Sequence, residues 1–466
     1  MPSNKEILEA QKYNRRRLVT AFASGMPDGR ELESKSPFTP FLVGFIIVAV
    51  MLGVGAVMSR FTPTLPQDWQ QSTLIVVKGT GARYYTINGV LRPVSNITSA
   101  KLLSDSGNYK TSEVAASTIE GIDRGSPVGI TNIPDDVPSP DRLHSDLWFS
   151  CVIPEKTHTW VAQSPTDKTT RGGVLVRHQK DIFLVADGLR HRIPEEHANK
   201  VLLALGLESI TPIQVNATWL ALFEIGSDLK PLEIENAGSP VSGLPEHLNT
   251  AVIGTVIEVK EGSSTRSYVV TDNNTLTPMS ATAEKLYALG DSKAQGGPSL
   301  TTSVSDLTNV IEVSPTSLGP SDLPSQIENM VPKGSLPCAQ LDRQPDGSVV
   351  PKLYSMTHEA LADALPAGRG TATTAEQKLQ GVTAQVSVLG GSGALIQTTS
   401  GGSLGSVMLV SDLGAIHGLG HDPNDSLARL GYSESDLLVV PASWAALVPE
   451  GPSLDFESVW ATVGEE

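Results

Sequence analysis

Histidine is the first residue type to consider for chemistry, because one pair has the spacing of metal ligands. His417 and His421 are four residues apart. On a helix they would share one face and could bind zinc. Gly418 and Gly420 lie between them and disfavour a helix, and the alignment of internal repeats described below places His417 opposite Arg192, near a strand end. We therefore expect no metal site here.

Two further histidines, His191 and His197, flank the predicted start of a helix. Histidine in such a position usually faces solvent, and we expect both side chains to be solvated. Neither lies beside a sequence motif of a hydrolase.

The glycine-rich segments are the candidates for phosphate binding. A P-loop requires Gly-Lys-Ser or Gly-Lys-Thr after a strand, and the dipeptide Gly-Lys does not occur in this chain. Segments 78–81 and 390–393 are rich in glycine but do not supply that lysine. Segment 408–412 has the hydrophobic strand and aspartate of an ATPase magnesium site, but segment 183–187 has the same pattern. The pattern is therefore a repeat, and we assign no catalytic residue.

The chain contains two cysteines, Cys151 and Cys338, which lie far apart in the sequence. In an oxidising compartment they could form a disulfide bond. The chain-entropy model gives such a long loop about 4–5 kcal/mol of stabilisation. The alternative is a pair of free, buried thiols.

A hydrophobic segment at residues 41–58 indicates a membrane anchor. No charged residue occurs from Pro37 to Ser59. At about 1.5 Å per residue, a helix of this length spans the roughly 30 Å of a bilayer core. A cleaved signal peptide would begin closer to the N-terminus, and a buried core helix would be shorter and have a polar face. We predict a permanent transmembrane helix at 37–59.

The charges around the anchor predict its orientation. Seven Lys and Arg residues precede it, and few follow it closely, so the positive-inside rule places the N-terminus in the cytoplasm. The segment 1–60 holds 8 of the 34 basic and 5 of the 50 acidic residues in the chain. The remaining, extracytoplasmic part has 26 basic and 45 acidic residues, which argues against nucleic acid as a partner.

Residues 3–24 are predicted to form an amphipathic helix before the anchor. Ser3 and Glu6 have the spacing of a capping box. The helix also carries three consecutive arginines at positions 15–17. It could lie on anionic lipid or dock on a cytosolic partner protein, and both alternatives remain open.

An internal repeat organises the residues after the anchor. At an offset of 225 in residue number, segment 182–229 aligns without a gap with segment 407–454. The alignment matches Trp219 with Trp444, and we expect both tryptophans to contribute to packing of their repeats. Two weaker copies cover residues 84–103 and 268–290.

Each copy has the pattern of a β-hairpin followed by a helix. A short strand reaches a polar turn, where Asn-Gly or Asp-Gly supplies the positive φ of a tight hairpin. A second strand and a helix that ends at glycine follow. The acidic residues of these copies are therefore interpreted as turn and cap residues. The predicted turn residues are Asn88, Gly89, Asp187, Gly188, Asp272, Asp412 and Gly414.

These patterns predict an α+β fold. A single N-terminal transmembrane helix precedes an elongated extracytoplasmic domain, in which four diverged hairpin/helix repeats surround a central mixed β core. The predicted segments are a cytoplasmic helix and tail at 1–36, the transmembrane helix at 37–59, a stalk with repeat 1 at 60–120, a first core segment at 121–175, repeat 2 at 176–235, repeat 3 at 250–325, a second core segment at 330–403 and repeat 4 at 404–466.

This order of elements resembles the EccB family, the membrane component of type VII (ESX) secretion systems in actinobacteria. The resemblance covers essentially the whole chain. It is carried by Gln-Lys-Tyr-Asn-Arg-Arg-Arg-Leu-Val at 11–19, Lys-Gly-Thr-Gly-Ala-Arg-Tyr-Tyr at 78–85, Asp-Gly-Leu-Arg-His-Arg-Ile-Pro at 187–194, Cys151, Pro337-Cys338 and Trp444.

The resemblance implies a structural subunit of the inner-membrane core complex that scaffolds its extracytoplasmic side. It implies homo-oligomers and partnership with EccC-type ATPase, EccD-type and EccE-type subunits and a mycosin protease. Repeats that present several similar faces suit such multivalent docking.

Two alternatives come with the resemblance. An ATPase activity has been attached to some family members, so hydrolysis of ATP by the extracytoplasmic domain is one alternative. The repeats also resemble the cell-wall-binding subunit of a phage lysin, so cell-wall binding is another. No cofactor is expected from the residues themselves.

Overall fold

The computed structural model describes residues 3–25, 38–60, 65–105, 110–153, 156–307, 312–365, 374–380 and 385–461. The predicted cytoplasmic tail at 26–36 and the start of the predicted stalk at 61–64 lie outside the described residues. The chain divides into two compact units, one with residues 1–67, 77–80 and 112–121, and one with residues 68–76, 81–111 and 122–466.

The N-terminal segment of the first unit contains two helices. Asn4–Ser24 begins at the predicted capping box, in which the side chains of Ser3 and Glu6 each accept a backbone N–H from the other end of the box. It ends at Gly25, whose φ of 65° is the left-handed conformation that glycine adopts without strain. The second helix, Phe38–Arg60, matches the predicted anchor.

The described residues form five β-sheets, one for each repeat and one for the core. The repeat 1 strands are Thr73–Val77, Arg83–Ile87, Val90–Pro93 and Lys110–Val114. The repeat 2 strands are Gly173–His178, Asp181–Ala186, Leu189–Ile193, Ile213–Gln214 and Glu224–Ile225. The repeat 3 strands are Val256–Glu261, Ser264–Asp272, Thr275–Pro278, Leu300–Ser303 and Glu312–Val313. The repeat 4 strands are Ala394–Ser400, Ser403–Val410, Ile416–Gly418 and Leu438–Pro441.

The four repeat sheets share one topology. Three consecutive strands form an antiparallel meander, and a later strand returns beside the first one. In repeats 2, 3 and 4 this return strand is parallel to the first strand. The meanders of repeats 2 and 4 begin at Gly173 and Ala394, before the predicted starts at 176 and 404, so strands assigned to the core by sequence pair within the repeats.

Short helices connect the strands of each repeat. Asn96, Ser280 and Asp422 accept backbone N–H groups at the start of three of them, as expected for N-caps. The α-helices after the anchor are Ile97–Leu103, Ala198–Leu205, Ala217–Leu220, Ala281–Tyr287, Asp291–Gln295, Val304–Leu307, His358–Ala364, Ala375–Gln380, Pro423–Leu430, Ala442–Ala445 and Phe456–Trp460. Single 3₁₀ turns are Ala116–Ile119, Pro140–Arg142, Glu195–His197, Glu246–Leu248 and Glu434–Asp436.

The repeats pack in pairs through their helices. Ile97–Leu103 of repeat 1 contacts Pro423–Leu430 of repeat 4, and Ala198–Leu205 of repeat 2 contacts Ala281–Tyr287 of repeat 3. Each pair shares a hydrophobic cluster, because the apolar face of a short helix needs a second element to cover it.

The core sheet draws on both regions that lack a repeat signal. Its six strands are, in spatial order, Val386–Val388, Lys156–Val161, Trp148–Ile153, Ser335–Arg343, Val349–Thr357 and Thr169–Thr170. Side chains of this sheet and of repeats 2 and 4 form one large buried cluster. The predicted α+β fold, with one apolar N-terminal helix ahead of several mixed sheets, is confirmed.

Candidate functional site

The helix Phe38–Ala56 is the one described segment that is long and apolar enough to cross a membrane. It has 19 residues, none of them charged, and its side chains are exposed in the protein. A core helix of a soluble domain would be buried instead. The exposure therefore favours the predicted anchor over a buried helix.

The disulfide bond is the covalent centre of the core sheet. Cys151 and Cys338 are bonded and lie directly opposite each other on neighbouring antiparallel strands. Both are fully buried. The bond closes a separation of 187 residues, so it joins the two regions that contribute strands to the core sheet.

Lys168 lies over the core sheet beside two aromatic rings. Its Nζ is 4.9 Å from the ring centre of Phe149 and 5.2 Å from that of Tyr354. Nζ also donates to Oε1 of Gln340 and to the hydroxyl of Ser164. Burial lowers the pKa of the Lys168 ammonium. This cation–π arrangement fixes the 163–168 loop onto the sheet.

Trp219 and Trp444 are both fully buried in the large cluster that joins the core sheet to repeats 2 and 4. The ring of Trp444 packs edge-on against that of Trp148, with 6.5 Å between the ring centres. Nε1 of Trp219 donates to the carbonyl oxygen of Ser150 at 3.3 Å. The two tryptophans thus attach their repeats to the central sheet.

Two buried histidines make the same hydrogen bond in repeats 2 and 4. Nδ1 of His191 donates to the carbonyl oxygen of Ser227 at 2.9 Å. Nδ1 of His417 donates to the carbonyl oxygen of Pro452 at 2.8 Å. Each ring therefore connects the third strand of its repeat to the chain segment that returns past it.

Each of these rings lies against a glycine. A Cβ added to Gly226 or to Gly451 would lie 2.5 Å from Cε1 of the neighbouring imidazole. In repeat 1, Arg92 takes the corresponding place, and a Cβ on Gly125 would lie 3.0 Å from its Cγ. Glycine is required at positions 226 and 451, because a Cβ there would overlap the buried ring.

The two histidines differ at the second ring nitrogen. Nε2 of His417 accepts the Ser411 hydroxyl at 3.1 Å. Nε2 of His191 is buried and makes no hydrogen bond within the described part of the chain. Ala186 occupies the position in repeat 2 that matches Ser411 in repeat 4. Burial lowers the pKa of His417, although its bond to Pro452 acts in the opposite direction.

Two expectations about the histidines need correction, namely the exposure of His191 and the alignment of His417 with Arg192. His191 is fully buried, not solvated, because its ring fills the space over Gly226. His417 matches His191 and not Arg192, because the turn of repeat 4 is one residue longer. Both ring nitrogens of His417 make hydrogen bonds within the protein, and His421 is exposed. Among the described residues, no group of three or more His, Cys, Asp or Glu could hold a metal ion.

The predicted turn residues lie at the hairpin turns. Asn88-Gly89 and Asp187-Gly188 have φ of 52°, 75°, 50° and 79°, which is the conformation of a two-residue hairpin loop. In repeat 3, Asp272 pairs with Thr275 and the positive φ falls on Asn274. In repeat 4 the turn is longer, Asp412 keeps a negative φ, and Gly414 has a φ of 76°.

The glycine-rich segment at 390–393 is occupied by protein groups. The N–H of Gly391 donates to Oδ2 of Asp412 at 3.0 Å. The carbonyl oxygen of Arg142 accepts the N–H of Gly393, and its guanidinium donates to the carbonyl oxygen of Gly390. The backbone N–H of Gly391, which a bound phosphate would need as a donor, is taken by the Asp412 carboxylate, and this carboxylate would repel a phosphate. Segment 78–81 is the turn between the first two strands of repeat 1.

The comparison with protein families matches almost the whole chain. The model described as "Type VII secretion system ESX-1, transport TM domain B", of the EccB subunit, matches residues 1–463. The chain belongs to the EccB family of type VII secretion systems.

Individual EccB proteins match this chain at low sequence identity. "ESX-5 secretion system ATPase EccB5" of Mycobacterium tuberculosis (strain H37Rv) is 26% identical over 244 residues, covering 48% of this chain and 47% of the relative. "ESX-1 secretion system ATPase EccB1" of the same strain is 25% identical over 268 residues, covering 53% of each. The match thus spans about half the length of these relatives.

Chains in solved structures of type VII secretion complexes share the fold. A chain of an intact ESX-5 inner membrane complex is matched with a TM-score of 0.64 at 20% identity, covering 100% of this chain and 96% of that one. A chain of the EccB3 dimer from the ESX-3 core complex is matched with a TM-score of 0.65 at 21% identity, covering 83% and 99%.

The histidine–glycine contacts are the feature of this EccB chain that sequence reasoning missed. A gapless alignment at an offset of 225 matched Gly226 with Gly451 but displaced His191 from His417 by one residue. Allowing one extra residue in the turn after Asp412 would have aligned the two histidines. The glycine match was the available signal.

Proposed function

We propose that this chain is a structural subunit of the inner-membrane core complex of a type VII secretion system, where it scaffolds the extracytoplasmic side. The observation that carries the proposal is the match of the EccB family to residues 1–463, anchor and repeats included. The fold supports it. Four similar repeats, packed in two pairs around a disulfide-bonded sheet, present several stable faces for other subunits.

The proposed topology places the N-terminus in the cytoplasm and the folded repeats outside. The excess of Lys and Arg before the anchor supports this orientation. The disulfide bond supports it as well, because such bonds persist in oxidising compartments. A reporter that is active only outside the cytoplasm, fused after residue 461, would be active in this orientation and inactive in the reverse one.

The proposed partners are EccC-type ATPase, EccD-type and EccE-type membrane subunits and a mycosin protease, with a second copy of this chain. The matched structures support a complex and a dimer, since one is an intact ESX-5 inner membrane complex and another is an EccB3 dimer from the ESX-3 core complex. The net negative charge of the repeats makes nucleic acid an unsuitable partner.

Co-purification tests this proposal. The tagged full-length chain, extracted in mild detergent, is expected to bring down a large membrane ATPase and further membrane subunits. A tagged single-pass protein of similar size, expressed at the same level, is the control. Recovery of the chain with no membrane subunit in any mild detergent would contradict the proposal.

Hydrolysis of ATP is a second candidate function, because the relatives EccB5 and EccB1 are named ATPases. It predicts that the ATPase activity co-elutes with the full-length chain at every step of chromatography. It also predicts that Gly391→Ala abolishes hydrolysis if the 390–393 segment binds the phosphates. The scaffold proposal predicts the same low rate for the chain, the variant and a mock preparation. Binding of the chain to isolated cell wall would favour the remaining alternative.

A further inference from the structure

The helix Asn4–Ser24 has one apolar side with no cover in the first unit. The large apolar side chains are exposed, and Phe22 is exposed to 86%. With about 100° of rotation per residue, the five aliphatic and aromatic positions that share this side fall within about 120° of one another. They are Ile7, Leu8, Leu18, Val19 and Phe22.

The charges of this helix are ordered around the apolar side. By the same rotation, Lys12 and Arg16 lie toward one border of it, whereas Arg17 lies on the far side of the helix. Glu6 and Glu9 lie on the opposite side of the helix. Long basic side chains along this border can reach lipid headgroups while the apolar side enters the acyl boundary. The acidic residues then face water.

Arg15 is the one charged residue that falls within the apolar side. It lies two turns before Phe22 on the same face of the helix. Its aliphatic stem can lie along the apolar surface while the guanidinium extends to a headgroup phosphate. An anionic headgroup suits this position better than a neutral one, because it supplies a partner for the charge.

The distance to the anchor favours a lipid surface. Ser24 ends this helix and Phe38 begins the membrane helix. An extended chain covers at most about 3.5 Å per residue, so the 14 steps between these residues span no more than about 50 Å. A tether of this length keeps the helix near the bilayer at a high effective concentration, so weak intrinsic affinity is enough for it to bind.

We propose that the helix Asn4–Ser24 lies flat on anionic lipid headgroups, with Phe22 at the centre of the inserted side. The inference rests on the proposed anchor, which places the helix next to the cytoplasmic leaflet. Anionic lipid is the matching surface because the helix carries five basic and two acidic residues.

The test places a polarity-sensitive NBD dye on Phe22→Cys of the full-length chain in nanodiscs. The two native cysteines are buried in a disulfide bond, so labelling is specific to the new thiol. Thr20→Cys is the matched control, because it lies on nearly the opposite side of the helix, two residues away. Nanodiscs present the same lipid on both faces, so the result does not depend on the orientation of the anchor.

In phosphatidylglycerol nanodiscs, the dye at position 22 is expected to shift its emission to the blue and to be quenched by brominated lipid. The dye at position 20 is expected to do neither. Phosphatidylcholine nanodiscs, or reversal of charge in Lys12→Glu with Arg16→Glu, are expected to lower the immersed population about tenfold or more, because each basic residue contributes to binding at an anionic surface.

Equal emission from positions 20 and 22, or immersion that does not change with lipid charge, would overturn the proposal. Shielding of position 22 that occurs only after purified secretion subunits are added would also overturn it, in favour of a protein partner. The measurement uses the chain alone. A failure here therefore leaves the co-purification result intact, and a failed co-purification leaves this result intact.

Discussion

His191 of repeat 2 and His417 of repeat 4 occupy the same place in their repeats. Each donates from Nδ1 to the segment that returns past the third strand, and each ring covers a glycine of that segment. This contact connects the third strand of a repeat to its returning chain through a fully buried histidine ring.

The glycines beneath these rings should not tolerate a side chain. Gly226→Ala and Gly451→Ala place a Cβ 2.5 Å from a buried imidazole, and we expect each to lower the free energy of unfolding by about 1–3 kcal/mol. Gly418→Ala is the control, because nothing lies within 4 Å of its Cβ. Thermal unfolding of the full-length chain in detergent is the measurement. Equal melting temperatures for all three variants would show that the contact is loose.

The second ring nitrogen predicts opposite effects for two matched substitutions. Ser411→Ala removes the donor to Nε2 of His417, and we expect a loss of about 1 kcal/mol. Ala186→Ser supplies a donor to the unpartnered Nε2 of His191, and we expect a gain of similar size. A loss of stability in Ala186→Ser, despite an unchanged fold by circular dichroism, would contradict the match between the repeats.

The lowered pKa of His417 predicts a dependence of stability on pH. Burial holds the pKa of the His417 imidazole in the folded protein below the value of 6.5 for a free histidine. As the pH falls, this imidazole is therefore protonated in the unfolded chain before it is protonated in the folded one. The contribution of this group is therefore fully present above about pH 6.5 and is lost as the pH falls through the lowered pKa of the folded state. Melting temperatures between pH 8 and pH 5 should fall less steeply in His417→Gln than in the parent. Parallel curves would contradict this.

The disulfide bond should contribute to stability without determining the fold. Cys151→Ala with Cys338→Ala is expected to cost about 4–5 kcal/mol, since it releases a long loop in the unfolded chain. The two strands remain paired by backbone hydrogen bonds, so circular dichroism should be unchanged. Reductant added to the native parent should have little effect, because both sulfurs are buried. Rapid reduction of the native protein would contradict that burial.

Features that depend on neighbouring residues could be predicted from the sequence. A two-residue turn at Asn88-Gly89 follows from the positive φ that these residue types accept, and the anchor follows from an uncharged segment of sufficient length. The cap at Ser280 is local in the same way. Each of these requires no knowledge of distant contacts.

Features that depend on distant contacts could not be predicted. Residues 390–405 are rich in Gly and Ser, a composition typical of a loop. Within them, Ala394–Ser400 forms a strand because it pairs on one side with Ser403–Val410 and on the other with Leu438–Pro441. The burial of His191 likewise depends on Gly226, which comes much later in the chain. Such pairings are decided by packing and not by local propensity.

A structural subunit of a secretion complex is expected to hold that complex together. The most direct measurement compares the native mass of the inner-membrane particle, purified through a tag on another subunit, from cells with and without this chain. We expect the particle to be lost or reduced to smaller pieces without the chain, and to be restored by the full-length protein. A particle that keeps its remaining subunits assembled without the chain would contradict the scaffold role.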